Sequence, residues 1–261
     1  MNETASNAPP IDDEGVIVGP DISHLITEDD SPMVNIFTER QTALLRTVLY
    51  DSWPGHGDGI PFVARANVGL FTMAEQTVLV PDLLLSLDVR APDDPFLKIN
   101  RSYFVWNYGK PPDVVVEIVS NAKGGELGNK LLDYARMGVA YYVVYDPEGH
   151  ISDAPLRIFT RQGMSFAETT DHWLHGIGLG LTLWEGVYED VSGVWLRWCN
   201  QDGSLLRTGQ ENAAVERARS DAASQRAEQA HARAEALAAK LRALGIDADA
   251  QRSARCNRPR I

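Results

Sequence analysis

Apolar positions along the chain switch between two periods. Met33, Phe37, Leu44, Leu45, Val48 and Leu49 recur at roughly helical spacing behind Ser31-Pro32, an N-cap followed by proline at the first helical position. They predict an amphipathic helix to about Tyr50, ended by the Gly- and Pro-containing stretch 54–61. Residues 62–70 and 78–89 read as strands. The second contains Pro81, which must sit where no ladder donor is needed, such as an edge or a bulge. Residues 90–100, with Pro92 and Pro95, read as a loop. Residues 114–119 form a short continuous apolar run, the pattern of a strand covered on both faces, interrupted by the carboxylate of Glu117. Residues 126–137 return to helical spacing, with Leu127, Leu131 and Tyr134 on one side and Gly138 where a left-handed C-cap is wanted. A further strand at 139–145 makes 114–145 a strand–helix–strand unit with parallel strands.

Shorter strands around 156–161 and 166–169 predict a hairpin turning at Gly163, and 194–198 with 204–206 a second one around 200–203. From about Gln210 the texture changes to Ala, Glu, Arg and Gln. Ala223, Ala227, Ala230, Ala234, Leu237, Leu241 and Leu244 alternate spacings of four and three, while Arg219, Arg226, Arg233 and Lys240 recur every seven residues. This is a heptad-like helix with an Ala-rich seam, a weak coiled coil or a docking helix. The organisation expected is an acidic disordered arm over 1–30, a folded domain over 31–209, the Ala/Glu/Arg-rich helix over 210–245 and a disordered tail over 246–261.

Composition narrows the class. Hydrophobic residues make up 44% and charged residues 23% of 261 residues, ordinary for a soluble protein, and no run approaches the length of a membrane span. The first 38 residues hold eight carboxylates and no Lys or Arg, unlike a secretory signal. The two cysteines, Cys199 and Cys256, show neither a disulfide framework nor zinc-ligand spacing. A cytoplasmic protein is expected. The net charge is −12, with eleven acids against two bases in residues 1–59 and seventeen against eleven in 60–200. That balance weighs against a strong, indiscriminate nucleic-acid binder.

Glu117 is the sharpest chemical signal. An ionised, unpaired carboxylate in a sheet core costs several kcal/mol, so such a residue is usually paired, protonated or coordinating a cation. The alternative is a solvated residue at the strand's exposed end. Asp82 follows a proline in another strand. Two acids converging from neighbouring strands make an oxygen-rich site suited to Mg²⁺, which takes one or two carboxylates and keeps several waters.

The ordered set Val80-Pro81-Asp82, then Pro112-Asp113-Val114-Val115-Val116-Glu117-Ile118-Val119-Ser120, then Glu126-x-x-x-Lys130-x-x-x-Tyr134-x-x-x-Gly138-Val139, then Tyr142-x-x-x-Asp146-Pro147 resembles the Uma2 family of endonucleases, within the PD-(D/E)xK nuclease superfamily. The resemblance covers roughly residues 31–210. The ending, Trp195-Leu196-Arg197-Trp198, then Asp202-Gly203, then the Ala/Glu/Arg helix, resembles one branch of the same family. It implies an α/β fold with a restriction-endonuclease-like mixed β-sheet flanked by helices, followed by the heptad-like helix. It further implies a DNA endonuclease with Asp82 and Glu117 holding Mg²⁺ (or Mn²⁺). The superfamily lysine would stand at position 119, which is Val119 here. Lys130 matches a helix lysine that substitutes for it, and Glu126 stands where many members have Asp.

The residue types suit phosphodiester hydrolysis, which needs a metal to neutralise developing charge and acidify a water. Lys130 could orient that water or stabilise phosphate charge, against the alternative of a solvated helix lysine. Lys123 is a loop-borne alternative for the same role. Glu39, on the first helix, is a candidate for facing the metal, with a solvated helix glutamate as the blander reading. Ser120 could bond a phosphate or cap the loop. Trp195 and Trp198 read as packing, and His172-x-x-His175 as a turn or sheet edge rather than zinc. A different class of function is a catalytically degenerate nuclease-fold adaptor acting through the 210–244 helix, which could also form a homo-oligomer; a third is an enzyme on another phosphate ester.

Overall fold

The computed structural model describes residues 35–57, 59–72, 78–121 and 125–244. The expected arm over 1–30, the Ser31-Pro32 cap, Lys123 and the 246–261 tail lie outside the described residues. The chain divides into two compact units, 1–208 and 209–261.

The first unit opens with α1 (Ile36–Ser52), whose N-cap is Asn35, its side chain accepting from the Thr38 amide at 2.8 Å. Leu44, Leu45, Val48 and Leu49 bury one stripe of this helix, at the expected spacing. A six-stranded mixed sheet follows, in the order β1 (Phe62–Ala66), β3 (Leu83–Leu87), β5 (Val114–Ile118), β6 (Tyr141–Tyr145), β7 (Leu156–Gln162) and β8 (Ser165–Thr169). Every neighbouring pair is antiparallel except β5 and β6, which are parallel and joined through α3 (Asn129–Met137), as the strand–helix–strand reading predicts. Gly138 caps α3 at φ 93°, and Gly163 turns the β7–β8 hairpin at φ 63°.

Two-residue periodicity divides the sheet's side chains between two cores. Leu83, Leu85, Leu87, Val114, Val116, Ile118, Val143 and Tyr145 pack with α1. Leu84, Val115, Val119, Tyr142, Val144 and Phe159 pack with Tyr134 of α3 on the other side. Burial on both faces explains why 114–118 reads as continuously apolar.

Three differences from the sequence reading have physical causes. The strand expected at 78–89 is shorter: Leu79 makes only an isolated bridge to Leu70, in the two-residue β2 (Leu70–Phe71), and the regular ladder begins after Pro81. The helix expected from residue 126 begins at Asn129, because 126–128 form a turn in which the Gly128 amide donates to the Gly125 carbonyl. Within 90–110 the described chain adds a 3₁₀ turn at Lys98–Asn100, β4 (Tyr103–Phe104) parallel to β2, and the one-turn α2 (Val105–Tyr108).

A second sheet was not anticipated at its full size. β9 (Trp173–Leu174), β10 (Leu179–Tyr188) and β11 (Val191–Cys199) form a three-stranded antiparallel sheet in the order β11-β10-β9. It covers the α1 side of the core with Leu179, Leu181, Trp195, Leu196 and Trp198. Gln41 of α1 ties it down, donating to the Leu196 carbonyl at 2.8 Å and accepting from the Leu196 amide at 2.9 Å. Trp195 and Trp198 are fully buried, in the packing role expected of them. The turn at 200–203 stands as expected, with Leu205 making a single bridge back to Cys199.

The second unit contains α4 (Gly209–Ala243), a 35-residue helix with no buried residue; Leu237 and Leu244 are among the exposed large apolar side chains.

Candidate active site

Asp82 and Glu117 meet because of sheet register. β3 and β5 pair Leu83 with Val116 and Leu84 with Val115, and continuing that antiparallel register by one residue sets Asp82 opposite Glu117. Pro81 cannot extend the ladder. The Asp82 carboxylate instead accepts from the Ile118 amide, at 2.6 Å to Oδ2, so a side chain completes the backbone pairing at the strand's end. Both acids alternate onto the sheet face that carries α3.

Glu117 is 3% exposed and sits inside the apolar run rather than at a solvated end. Its carboxylate is satisfied from one helix. Lys130 Nζ lies 2.9 Å from Oε2, and the Tyr134 phenol donates to Oε1 at 2.6 Å. Lys130 also contacts Glu126 Oε1 at 3.2 Å. Glu126 is 6% exposed in the turn entering α3, where the Tyr142 phenol donates to its main-chain carbonyl at 3.0 Å. Its other oxygen, Oε2, is buried without a hydrogen-bond partner among the described residues.

Burial dominates the electrostatics. It raises the Asp82 carboxyl from 3.8 to about 6, against the opposing pull of the Ile118 amide and Lys130. It likewise raises Glu117 from 4.5 to about 7, outweighing Lys130, with Asp82 adding to the rise. Burial works against the Lys130 ammonium, but Glu117 and Glu126 outweigh it and the net shift is upward. The lysine is therefore held charged between Glu117 and Glu126, while burial leaves Glu117 resisting full ionisation.

Of the residues singled out in the sequence, Asp82, Glu117, Lys130 and Glu126 are brought together. Glu39 is not: it is exposed on α1, which packs against the opposite face of the sheet, and its electrostatic neighbour is Tyr188. Ser120 is exposed just past β5, its hydroxyl accepting from the Asn121 side chain at 3.3 Å. Lys123 lies outside the described residues. Val119 is buried in the α3-side core, so the face that carries Glu117 receives its ammonium from the helix rather than from two residues further along the strand. His175 pairs with Asp171 at 2.8 Å, a surface turn contact. Tyr134 and Tyr142 were assigned to helix face and motif, and their hydroxyl contacts with the site were missed. The signal was present: 126, 130 and 134 are spaced i, i+4, which sets Lys130 and Tyr134 on one face of α3 and Glu126 in the turn just before it.

The donors suit a hard cation. All are carboxylate oxygens, and Glu126 Oε2 is a buried acceptor still without a donor. Among the described residues no group of three His, Cys, Asp or Glu is arranged as a metal cluster. Two carboxylates with waters completing the shell is the usual manner of Mg²⁺, so Asp82 and Glu117 fit it.

A comparison with curated proteins found no match. A model of the Uma2 family, described as "Putative restriction endonuclease", matches residues 28–170, a little over half of the chain. The mixed sheet with flanking helices is consistent with the restriction-endonuclease-like fold. Asp82, Glu117, Glu126 and Lys130 all fall within the matched segment, and the chain belongs to the Uma2 family of restriction-endonuclease-like proteins.

Proposed function

We propose that the protein is a divalent-metal-dependent DNA endonuclease that hydrolyses phosphodiester bonds with Asp82, Glu117 and Lys130. The observation that carries this reading is Glu117, buried within a sheet core yet joined to Lys130 and set opposite Asp82. A purely structural pair would be costly there, since desolvating two charges commonly exceeds their attraction. Asp82 and Glu117 hold Mg²⁺ or Mn²⁺, with Glu126 nearby as a further oxygen donor. A bound cation of this kind supplies charge neutralisation at the phosphate and acidifies a water. Lys130, charged and partly exposed, orients the attacking water or neutralises a phosphate oxygen. Its contact with Glu126 holds the ammonium at the mouth of the site.

The acidic balance shapes how DNA is met. Residues 60–200 carry seventeen acids against eleven bases, so association leans on the cation and on few phosphate contacts. In this reading the enzyme works in the cytoplasm. The test is cleavage of supercoiled and single-stranded DNA at low salt with Mg²⁺ or Mn²⁺ against a chelated control. Metal-dependent cutting of either substrate supports the proposal. Intact DNA alongside demonstrable metal binding redirects it to another phosphate ester.

We also propose that α4 pairs with a second copy of the chain. It is 35 residues long without a buried residue, and its Ala/Leu seam is flanked on one side by Arg219, Arg226, Arg233 and Lys240. Replacing Leu237 and Leu241 together by Glu in the full chain is expected to convert a dimer to a monomer by light scattering, with the fold of 35–208 retained. A wild type that is monomeric at high micromolar concentration contradicts the pairing. It also removes the main support for an adaptor role.

A further inference from the structure

Glu117 has two oxygens, and Lys130 engages only one of them. The other, Oε1, accepts from the Tyr134 phenol at 2.6 Å. Tyr134 is fully buried, and three features keep its ring in place. It lies on α3 one turn beyond Lys130. Its carbonyl accepts from the Val139 amide at 3.1 Å in the turn capped by Gly138. Its ring packs against Tyr142 with centroids 5.1 Å apart. Tyr142 in turn donates to the Glu126 carbonyl, so the two rings, packed against each other at a tilt of 36°, contact both acidic residues.

We propose that Tyr134 is a positioning residue of this site: its phenol O–H, fixed on Oε1 of Glu117, holds that carboxylate in the orientation in which it takes a divalent cation. This rests on the reading of Asp82 and Glu117 as cation ligands. With Oε1 held by the phenol, rotation of the carboxylate about its last bond is restrained, and Oε2 stays beside Lys130 Nζ, 2.9 Å away. Outer contacts of this sort set ligand orientation at metal sites, and losing one typically weakens metal binding 10–100-fold. A structural explanation, that Glu117 exists to satisfy a buried phenol, fails on relative cost. A neutral acceptor would serve the phenol as well, without burying a carboxylate.

The test is Mn²⁺ affinity of the full chain by calorimetry, across pH, in wild type, Glu117→Gln and Tyr134→Phe. Tyr134→Phe keeps the ring packed against Tyr142 and removes only the hydroxyl. The expected result is strong weakening in Glu117→Gln and a 10–100-fold weakening in Tyr134→Phe, with the metal-free Tyr134→Phe protein still folded by circular dichroism and its melting temperature lowered by the loss of one buried hydrogen bond. Wild-type affinity in Tyr134→Phe, with Glu117→Gln impaired, overturns the positioning role and leaves the proposed cation site standing. Absence of Mn²⁺ binding by wild type overturns both. Should Tyr134→Phe fail to fold, 3,5-difluorotyrosine at position 134 keeps the ring and strengthens the donor. Cation binding is then expected to set in at lower pH than in wild type, and an unchanged pH profile overturns the role.

Discussion

Metal-free wild type is expected to lose stability as pH rises from about 4 to 8, and Mn²⁺ at pH 8 is expected to restore it. The direction follows from the buried Glu117 and the partly buried Asp82. Glu117 titrates near 4.5 when solvated and near 7 in the fold; Asp82 moves from 3.8 to about 6. Between each pair of values the folded protein holds a proton that the unfolded chain has released, so stability falls with pH across that window. The favourable contribution is complete below about pH 4 and is lost as pH passes through about 6 and 7. For Glu117 alone the rise amounts to about 3 kcal/mol. Replacing Glu117 by Gln should remove most of this slope, because the amide does not titrate. It should also abolish the Mn²⁺ response, which by mass action reaches about 2.7 kcal/mol at a hundredfold excess over the dissociation constant. Chemical denaturation of both proteins at pH 5 and pH 8, with and without Mn²⁺, gives the four comparisons. A Glu117→Gln protein retaining the wild-type metal response would locate the cation elsewhere.

Lys130→Ala is expected to separate cation binding from catalysis. Loss of a charge-stabilising group of this kind costs about 10²–10³-fold in rate. The cation should still bind, since Lys130 contributes no oxygen. Without its ammonium neighbour Glu117 holds its proton to higher pH, so cation binding and residual cleavage should both begin later in a pH series. Cleavage rates across pH beside calorimetric Mn²⁺ affinity check this. Equal loss of both would make Lys130 a support for Glu117 rather than part of the chemistry.

The residues of the site were more legible than the reason they meet. Glu117 announced itself as one carboxylate in a buried strand, and the i, i+4 spacing of Glu126, Lys130 and Tyr134 was in the sequence, with only the last two on α3. The pairing of Asp82 with Glu117 depends on strand register, which no single strand's pattern contains. Glu39 was misleading because helical periodicity assigns a face only relative to its own helix. Tertiary packing set α1 on the sheet's far side.

The β10–β11 hairpin was underestimated for a related reason. Its strands carry Gly180, Gly186 and Gly193, residues that usually punctuate strands, and its turn is Glu189-Asp190 rather than Asn-Gly. Both turn residues nevertheless adopt positive φ, 47° and 63°, as a tight hairpin turn requires. Gly186 is explained by its neighbour: a Cβ there would collide with the Trp184 ring. Side-chain packing thus selected glycine within a strand, and the sequence pattern carried the opposite message.

The central claim, that Glu117 is a metal-holding residue of a DNA endonuclease, is tested most directly by one paired measurement. Supercoiled and single-stranded DNA are incubated at low salt with wild type or Glu117→Ala, in Mg²⁺ or Mn²⁺ and at one pH above 7. Wild type should cut in a metal-dependent manner, and Glu117→Ala should fall by roughly 10³-fold or more. Cutting by Glu117→Ala at the wild-type rate, or metal binding by wild type with both substrates left intact, would contradict the claim.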